Sequence, residues 1–190
     1  MTKGRLEAFS DGVIAILITI MVLELAKPSA PTWHSLLEAA HHVALYALSF
    51  VLLGIYWNNH HHLFHIVDRI SGGVLWANLH LLFWLSLVPF MTAWIGEAGL
   101  APVPTAAYGL VLLCAAVAYY LMTLALVSAN GPHSRVAVAL GRDVKGKVSV
   151  AIYVAAVAIA LTWPPAAIAL YVLVALIWFI PDRRMERPAS

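Results

Sequence analysis

Six mostly apolar stretches follow one another along this chain, at about 6–26, 42–58, 74–95, 105–128, 148–163 and 165–181. Each is a candidate membrane-spanning helix. A helix that crosses a bilayer needs roughly 20 such residues, because the hydrocarbon interior offers no water to satisfy exposed backbone groups. The last two stretches are short. Trp163-Pro164-Pro165 separates them, since proline removes an amide donor and ends a helix. They are expected to form a tight helical hairpin, with one kinked segment as the alternative. Hydrophobic residues make up 63% of the chain and charged residues 11%. Soluble domains hold about 45–50% and about 25%. This excludes a soluble enzyme, a nucleic-acid binder and a disordered regulator. The expected fold is an all-α integral membrane protein with six transmembrane helices, a single domain over residues 1–190 in contact with the lipid bilayer. The single cysteine, Cys114, excludes an intramolecular disulfide and any CxxC site.

The basic residues set the expected topology. With six spans both ends lie on one side. That side holds Lys3, Arg5, Arg69, Arg135, Arg142, Lys145, Lys147, Arg183, Arg184 and Arg187, against only Lys27 on the other. A split of 10 to 1 predicts cytoplasmic termini in a multi-pass protein of the cell (plasma) membrane. Trp33, Trp57, Trp76, Trp94, Trp163 and Trp178 fall near expected span ends, as in an aromatic belt. Asp11 lies inside the first span and no small-residue cleavage site follows it, so this span does not read as a signal peptide. The stretch 129–147 reads as a cytoplasmic loop and Pro181–Ser190 as a short basic tail. Spans four to six carry almost no chemistry, which places function in spans one to three.

Ionisable groups inside a span are candidates for function because they are costly in hydrocarbon. The first span holds Glu7, Asp11 and Glu24, with Arg5 at its start. At about 100° per residue, Phe9, Gly12, Ile16, Thr19, Ile20 and Leu23 form one stripe. Asp11 and Glu7 lie on roughly the opposite face, and Ser10 lies to the side. The Asp11 face is expected to be buried against donors from neighbouring helices, with Trp57, His60, His61 and Asn78 as candidates. The stripe is left to touch lipid, a partner subunit or a pore, with plain packing as the simplest reading.

Arg5-x-x-x-Phe9-Ser10-Asp11 at the opening of the first span resembles the signature of the transmembrane protein 175 family of potassium channels. The resemblance continues through Leu23-Glu24-Leu25, Trp57-Asn-Asn-His60-His61, Asn78-Leu and Pro89-Phe90-Met-Thr92. It covers residues 5–97, about half the chain. It implies a short prokaryotic member with a single six-span repeat, assembled as a homotetramer with four first helices lining a central pore. On this resemblance the narrowest aliphatic ring is Ile16. Ile20 and Leu23 are the next apolar layers, and Thr19 is a hydroxyl ring that coordinates the ion. Arg5, Phe9, Ser10, Asp11, Trp57, His60 and Asn78 are the motif and its interhelical network. Glu24 falls near the outer mouth, where four carboxylates would concentrate cations; a solvated helix-end acid is the alternative. The implied activity is passive conduction of monovalent cations with a modest preference for potassium. No cofactor is expected, potassium being the permeant ion, and no enzymatic activity.

Of the nine histidines, six cluster: His41 and His42, then His60, His61, His62 and His65. His61 and His65 share a helix face and reach of one metal ion, but no cysteine and few acids accompany them. Interfacial hydrogen bonding is the simpler reading, and no metal is expected. Two other functions remain open on residues alone. One is bis-histidine haem ligation by His41, His42, His60 and His80. The other is a proton-coupled transporter using Asp11 and Glu24, although no repeated halves or broken helices accompany it.

Overall fold

The computed structural model describes residues 2–141 and 143–179. Arg142, Arg183, Arg184, Arg187 and the basic tail Pro181–Ser190 lie outside the described residues. Nine helices form among those described: α1 Lys3–Leu23, α2 Trp33–Glu38, α3 Ala40–His65, α4 Gly72–Ser86, α5 Val88–Ala98, α6 Pro102–Asn130, α7 Arg135–Leu140, α8 Val144–Ala160 and α9 Pro164–Phe179.

Four segments are long and apolar enough to cross a membrane: α1, α3, the combined α4–α5 stretch Gly72–Ala98, and α6. The α8 helix has 17 residues, or about 26 Å at 1.5 Å per residue, and α9 runs for 16 to the end of the described residues. The expected third span, 74–95, is broken at Leu87. Pro89 sits in the first turn of α5, where it has no amide to donate to the turn before it. The Leu87 amide instead bonds back to Trp84 and Leu85 carbonyls, tightening the end of α4. The second span runs seven residues past its expected end, to His65. Thus Trp57 lies within α3 and not at its end.

The two six-residue helices interrupt stretches read as loops. Each opens on a hydroxyl cap: Thr32 accepts from the Ser35 amide and Ser134 from that of Ala137. α5 closes on Gly99, whose φ of 62° is the left-handed conformation that a glycine adopts without strain.

α6 is the middle of the bundle. It packs against α4, α5, α8 and α9, while α1 lies along one edge against α3, α4 and α5. Polar groups inside this apolar core are paired in series. The Tyr108 hydroxyl donates to Ser49 Oγ at 2.9 Å. Ser49 then donates to Thr92 Oγ1 at 2.7 Å, and Thr92 donates to the Val88 carbonyl at 2.8 Å. The series has one direction because Thr92 spends its only hydrogen on the backbone. It ties α3, α5 and α6 together with no donor left over.

One end of the bundle gathers basic residues. Lys3 Nζ donates to the His65 and Val67 carbonyls at the end of α3. Asn130 at the end of α6 accepts from the Asp68 and Arg69 amides and donates to the Arg69 carbonyl. Arg135 pairs with Asp68 at 2.7 Å. Lys3, Arg69 and Arg135 therefore share one end, as the charge split requires.

Gly109 on α6 faces the Tyr171 phenol of α9, which donates to the Thr105 carbonyl at 3.1 Å. A Cβ at Gly109 would strike the Tyr171 hydroxyl and ring. Gly109→Ala is expected to destabilise the bundle by about 1–3 kcal/mol through overpacking. Thermal unfolding of the purified protein, followed by size-exclusion chromatography, reads this as a lowered midpoint.

Candidate functional site

α1 is held by one face and bare on another. Leu6, Ser10, Ile14, Leu17 and Met21 are buried at helical spacing against the neighbouring helices. On the far flank Phe9 is 47% exposed, Ile16 57%, Ile20 40% and Leu23 80%. Gly12 and Thr19 are exposed in the same stripe. Packing within the subunit therefore does not account for the stripe.

The buried face turns on Ser10. Its hydroxyl donates to the Leu6 carbonyl at 2.9 Å, one turn back. It accepts from Asn78 Nδ2 of α4 at 2.9 Å. Asn78 Oδ1 lies 2.8 Å from His60 Nε2 of α3. Because the Asn78 amide nitrogen is spent on Ser10, its oxygen must accept, so His60 carries its proton on Nε2. Ser10, Asn78 and His60 are all at most 1% exposed. Three helices thus meet in one directed chain of hydrogen bonds. His60 also stacks on Phe64, with ring centroids 4.4 Å apart. Its Nδ1 is buried without a partner among the described residues.

This geometry corrects the expected roles of Ser10 and Asp11. The neutral serine occupies the centre of the buried face. Asp11 stands at its edge, half-buried, where Oδ1 accepts from Trp57 Nε1 at 3.0 Å. Burying an ionised carboxylate costs far more than burying a hydroxyl that has partners, so the edge is the cheaper place for the charge. The expected donors divide accordingly: Trp57 serves Asp11, whereas Asn78 and His60 serve Ser10. His61 stacks on Trp57 and on His65. Arg5 is exposed and has no partner among the described residues. The motif arginine is thus not part of the network within one chain.

Thr19 donates its hydroxyl hydrogen to the Ile16 carbonyl at 2.9 Å. Its oxygen therefore presents lone pairs outward. Glu24, just past α1, is exposed and borders a hollow shared with His42, Thr92 and Glu97.

The competing site readings do not assemble. His41 and His42 lie 18 or 19 residues from His60 on α3, about 27 Å along a helix, too far to bracket one haem. His80 Nε2 accepts from Trp84 Nε1 at 2.9 Å. Asp11 and Glu24 lie 13 residues apart on α1, about 20 Å, and share no bonded partner. Among the described residues no three His, Cys, Asp or Glu side chains form a metal-binding group. Sequence reasoning missed Ser49 and Tyr108. A serine and a tyrosine amid apolar residues, one in span two and one in span four, were the available signal.

An α-helical bundle with four segments long and apolar enough to cross a membrane, and an apolar stripe left uncovered on its first helix, is the architecture of a multi-pass membrane protein. The family model described as the endosomal/lysosomal potassium channel TMEM175 matches residues 5–89. A relative from Chryseobacterium sp. (strain P1-3), named a potassium channel, is 50% identical over 187 residues, 98% of this chain and 97% of its own. The crystal structure of a lysosomal potassium-selective channel TMEM175 homologue from Chamaesiphon minutus superposes with a TM-score of 0.79 at 26% identity. That match covers 96% of this chain and 97% of that one. The endosomal/lysosomal proton channel TMEM175 of Gallus gallus is 36% identical over 83 residues, which are 37% of this chain and 17% of that protein. The chain belongs to the TMEM175 family of potassium channels. It is a prokaryotic-type member, a membrane protein of ion transport and not an enzyme.

Asn78→Ala is expected to destabilise the fold by about 1–3 kcal/mol, because it strands the buried His60 Nε2–H. Asp11→Asn keeps an acceptor for Trp57 and should cost less. Asp11→Ala should lower the yield of assembled protein more than it alters ion preference. Thermal midpoints and the elution profile of the three variants check the order.

Proposed function

We propose that the chain is the six-span subunit of a homotetrameric, potassium-preferring channel, a single domain over residues 1–190. Four copies of α1 line the pore, and α8 and α9 serve as short fifth and sixth spans. Both termini are cytoplasmic and the membrane is the plasma membrane. The observation that carries this reading is the bare stripe of Ile16, Thr19, Ile20 and Leu23. It lies on a helix whose other face is locked to its own subunit.

The physics follows from those side chains. Four Ile16 groups converging on an axis exclude water, and a dewetted constriction stops ions without any charged gate. Ile20 and Leu23 extend the apolar lining. Thr19 lies between them. Since its hydrogen is held by the Ile16 carbonyl, a ring of four offers lone pairs and replaces part of a cation's hydration shell. Such a ring offers far fewer oxygens than a stack of carbonyls, so the preference for potassium over sodium is modest. Glu24 and Glu97 border one hollow beyond the far end of α1 and raise the local cation concentration there. Ser10, Asp11, Trp57, His60 and Asn78 hold α1 in register and do not touch the ion, whereas Arg5 and Phe9, bare within one chain, face the neighbouring copies.

Flux from liposomes under a potassium gradient tests the reading, with the tetramer confirmed by its mass. Potassium flux above sodium flux is expected, and a tetramer that conducts nothing ends the channel reading. The same vesicles loaded with a pH-sensitive dye report whether protons pass as well, as the name of the chicken relative suggests.

Ile16→Asn should wet the constriction and raise leak several-fold in single-channel or flux recordings. Unchanged conductance would move the gate elsewhere. Thr19→Val keeps the shape and removes the oxygen, so the potassium-to-sodium permeability ratio should fall while current persists. An unaltered ratio would remove Thr19 from selectivity.

A further inference from the structure

Far from the bare stripe, a hollow opens between α3, α6, α8 and α9. It encloses about 50 Å³, within about 510 Å³ of open space that includes its mouth. Tyr56, Tyr119, Tyr120, Tyr153 and Trp178 line it, and Asp143 is its charged residue. The pore proposed above uses none of these groups.

Three features give the hollow a chemical preference. Asp143 is held in the left-handed region at φ 39°, at the start of α8. Its Oδ1 accepts from the Gly146 amide at 3.1 Å, and its Oδ2 has no hydrogen-bond partner among the described residues. Gly146 is required beneath it, since a Cβ there would strike the carboxylate. Tyr119 donates its hydroxyl hydrogen to the Asn59 carbonyl at 3.3 Å, so its oxygen is left as an acceptor. Finally, the aromatic wall already draws a cation from the chain itself: Lys145 Nζ lies 6.0 Å from the centre of the Trp178 ring.

A primary ammonium suits such a site. It carries three donors and no acceptor. Aromatic faces attract it, Asp143 supplies the countercharge, and the Tyr119 oxygen supplies a neutral acceptor. A carboxylate is repelled by Asp143 and by the aromatic faces. A trimethylammonium has no N–H to give. Leu52 and Val174 line the rest of the hollow and suit an apolar stem.

We propose that this hollow binds a primary ammonium carried on an apolar stem, with Asp143 as counter-ion. The ammonium comes from an aminophospholipid headgroup or from a soluble alkylamine. The site lies within one chain and stands whether or not four chains form a pore.

Octylamine is the probe, titrated into the full-length purified protein with thermal midpoint and tryptophan fluorescence as readouts. A saturable rise in the midpoint is expected. Octanol, octanoate and octyltrimethylammonium at equal concentration should give less than a third of it. Asp143→Asn keeps a capping side chain but removes the charge, and should weaken apparent affinity at least tenfold. Ala116→Phe fills the hollow without touching Asp143 and should abolish the response, as Trp178→Phe should abolish the fluorescence change. The proposal is overturned by no shift with octylamine, by an equal shift with octanol, by unchanged affinity in Asp143→Asn, or by a full response in Ala116→Phe. Nanodiscs separate the two sources. If adding phosphatidylethanolamine to phosphatidylglycerol discs weakens octylamine binding, the headgroup occupies the site. If it does not, the ligand is a soluble amine. Both results uphold the ammonium chemistry.

Discussion

The hydrogen bond from Asn78 to Ser10 decides which way the first helix faces. A transmembrane helix of aliphatic residues has little reason to prefer one rotation over another, because lipid tails and aliphatic side chains are equally apolar. A polar group breaks that degeneracy. Ser10 finds its donor in one rotation of α1 only, and Asn78 is itself oriented by His60. Every other rotation leaves a donor and an acceptor unpaired in the core. The stripe on the far flank is therefore set by what happens behind it.

The hydroxyls elsewhere work by the same logic. Tyr108, Ser49 and Thr92 form a second directed series that ends on a backbone carbonyl. The carbonyl belongs to Val88, at the start of α5. Just there the helix has been broken by Pro89. The side-chain series thus pins α5 against α3 and α6 next to a weakened backbone. In both series short polar side chains, and not ion pairs, give the bundle its specificity. Charged groups stay at the edges or ends, where solvation costs less.

Much of the helical architecture was legible in sequence because hydrophobic runs report directly on helix length and prolines on where a helix breaks. The stripe on α1 was legible from helical periodicity alone. What failed was the assignment within the polar motif. Asp11 looked like the group that must be buried since it bears the charge, yet the serine beside it holds the centre. Angular position differs by only one residue, and the wheel does not know which neighbour offers a donor. Arg5 gave no hint that it stands apart. Helices α2 and α7, six residues each, are too short for a periodic signal. Spans four to six read as bland because tyrosines scatter within them at no fixed interval. Folding brings Tyr56, Tyr119 and Tyr153 to one hollow.

The helices of the bundle are unequal in length. α6, with 29 residues, reaches about 44 Å, whereas α8 beside it, with 17, reaches about 26 Å. The hydrocarbon core of a bilayer is about 30 Å deep, and a helix shorter than that depth is the kind on which bilayer thickness acts. α6 packs against α8 on one side and against α4 and α5 on the other, and those two helices hold α1. α6 is therefore the beam through which a load on α8 reaches α1.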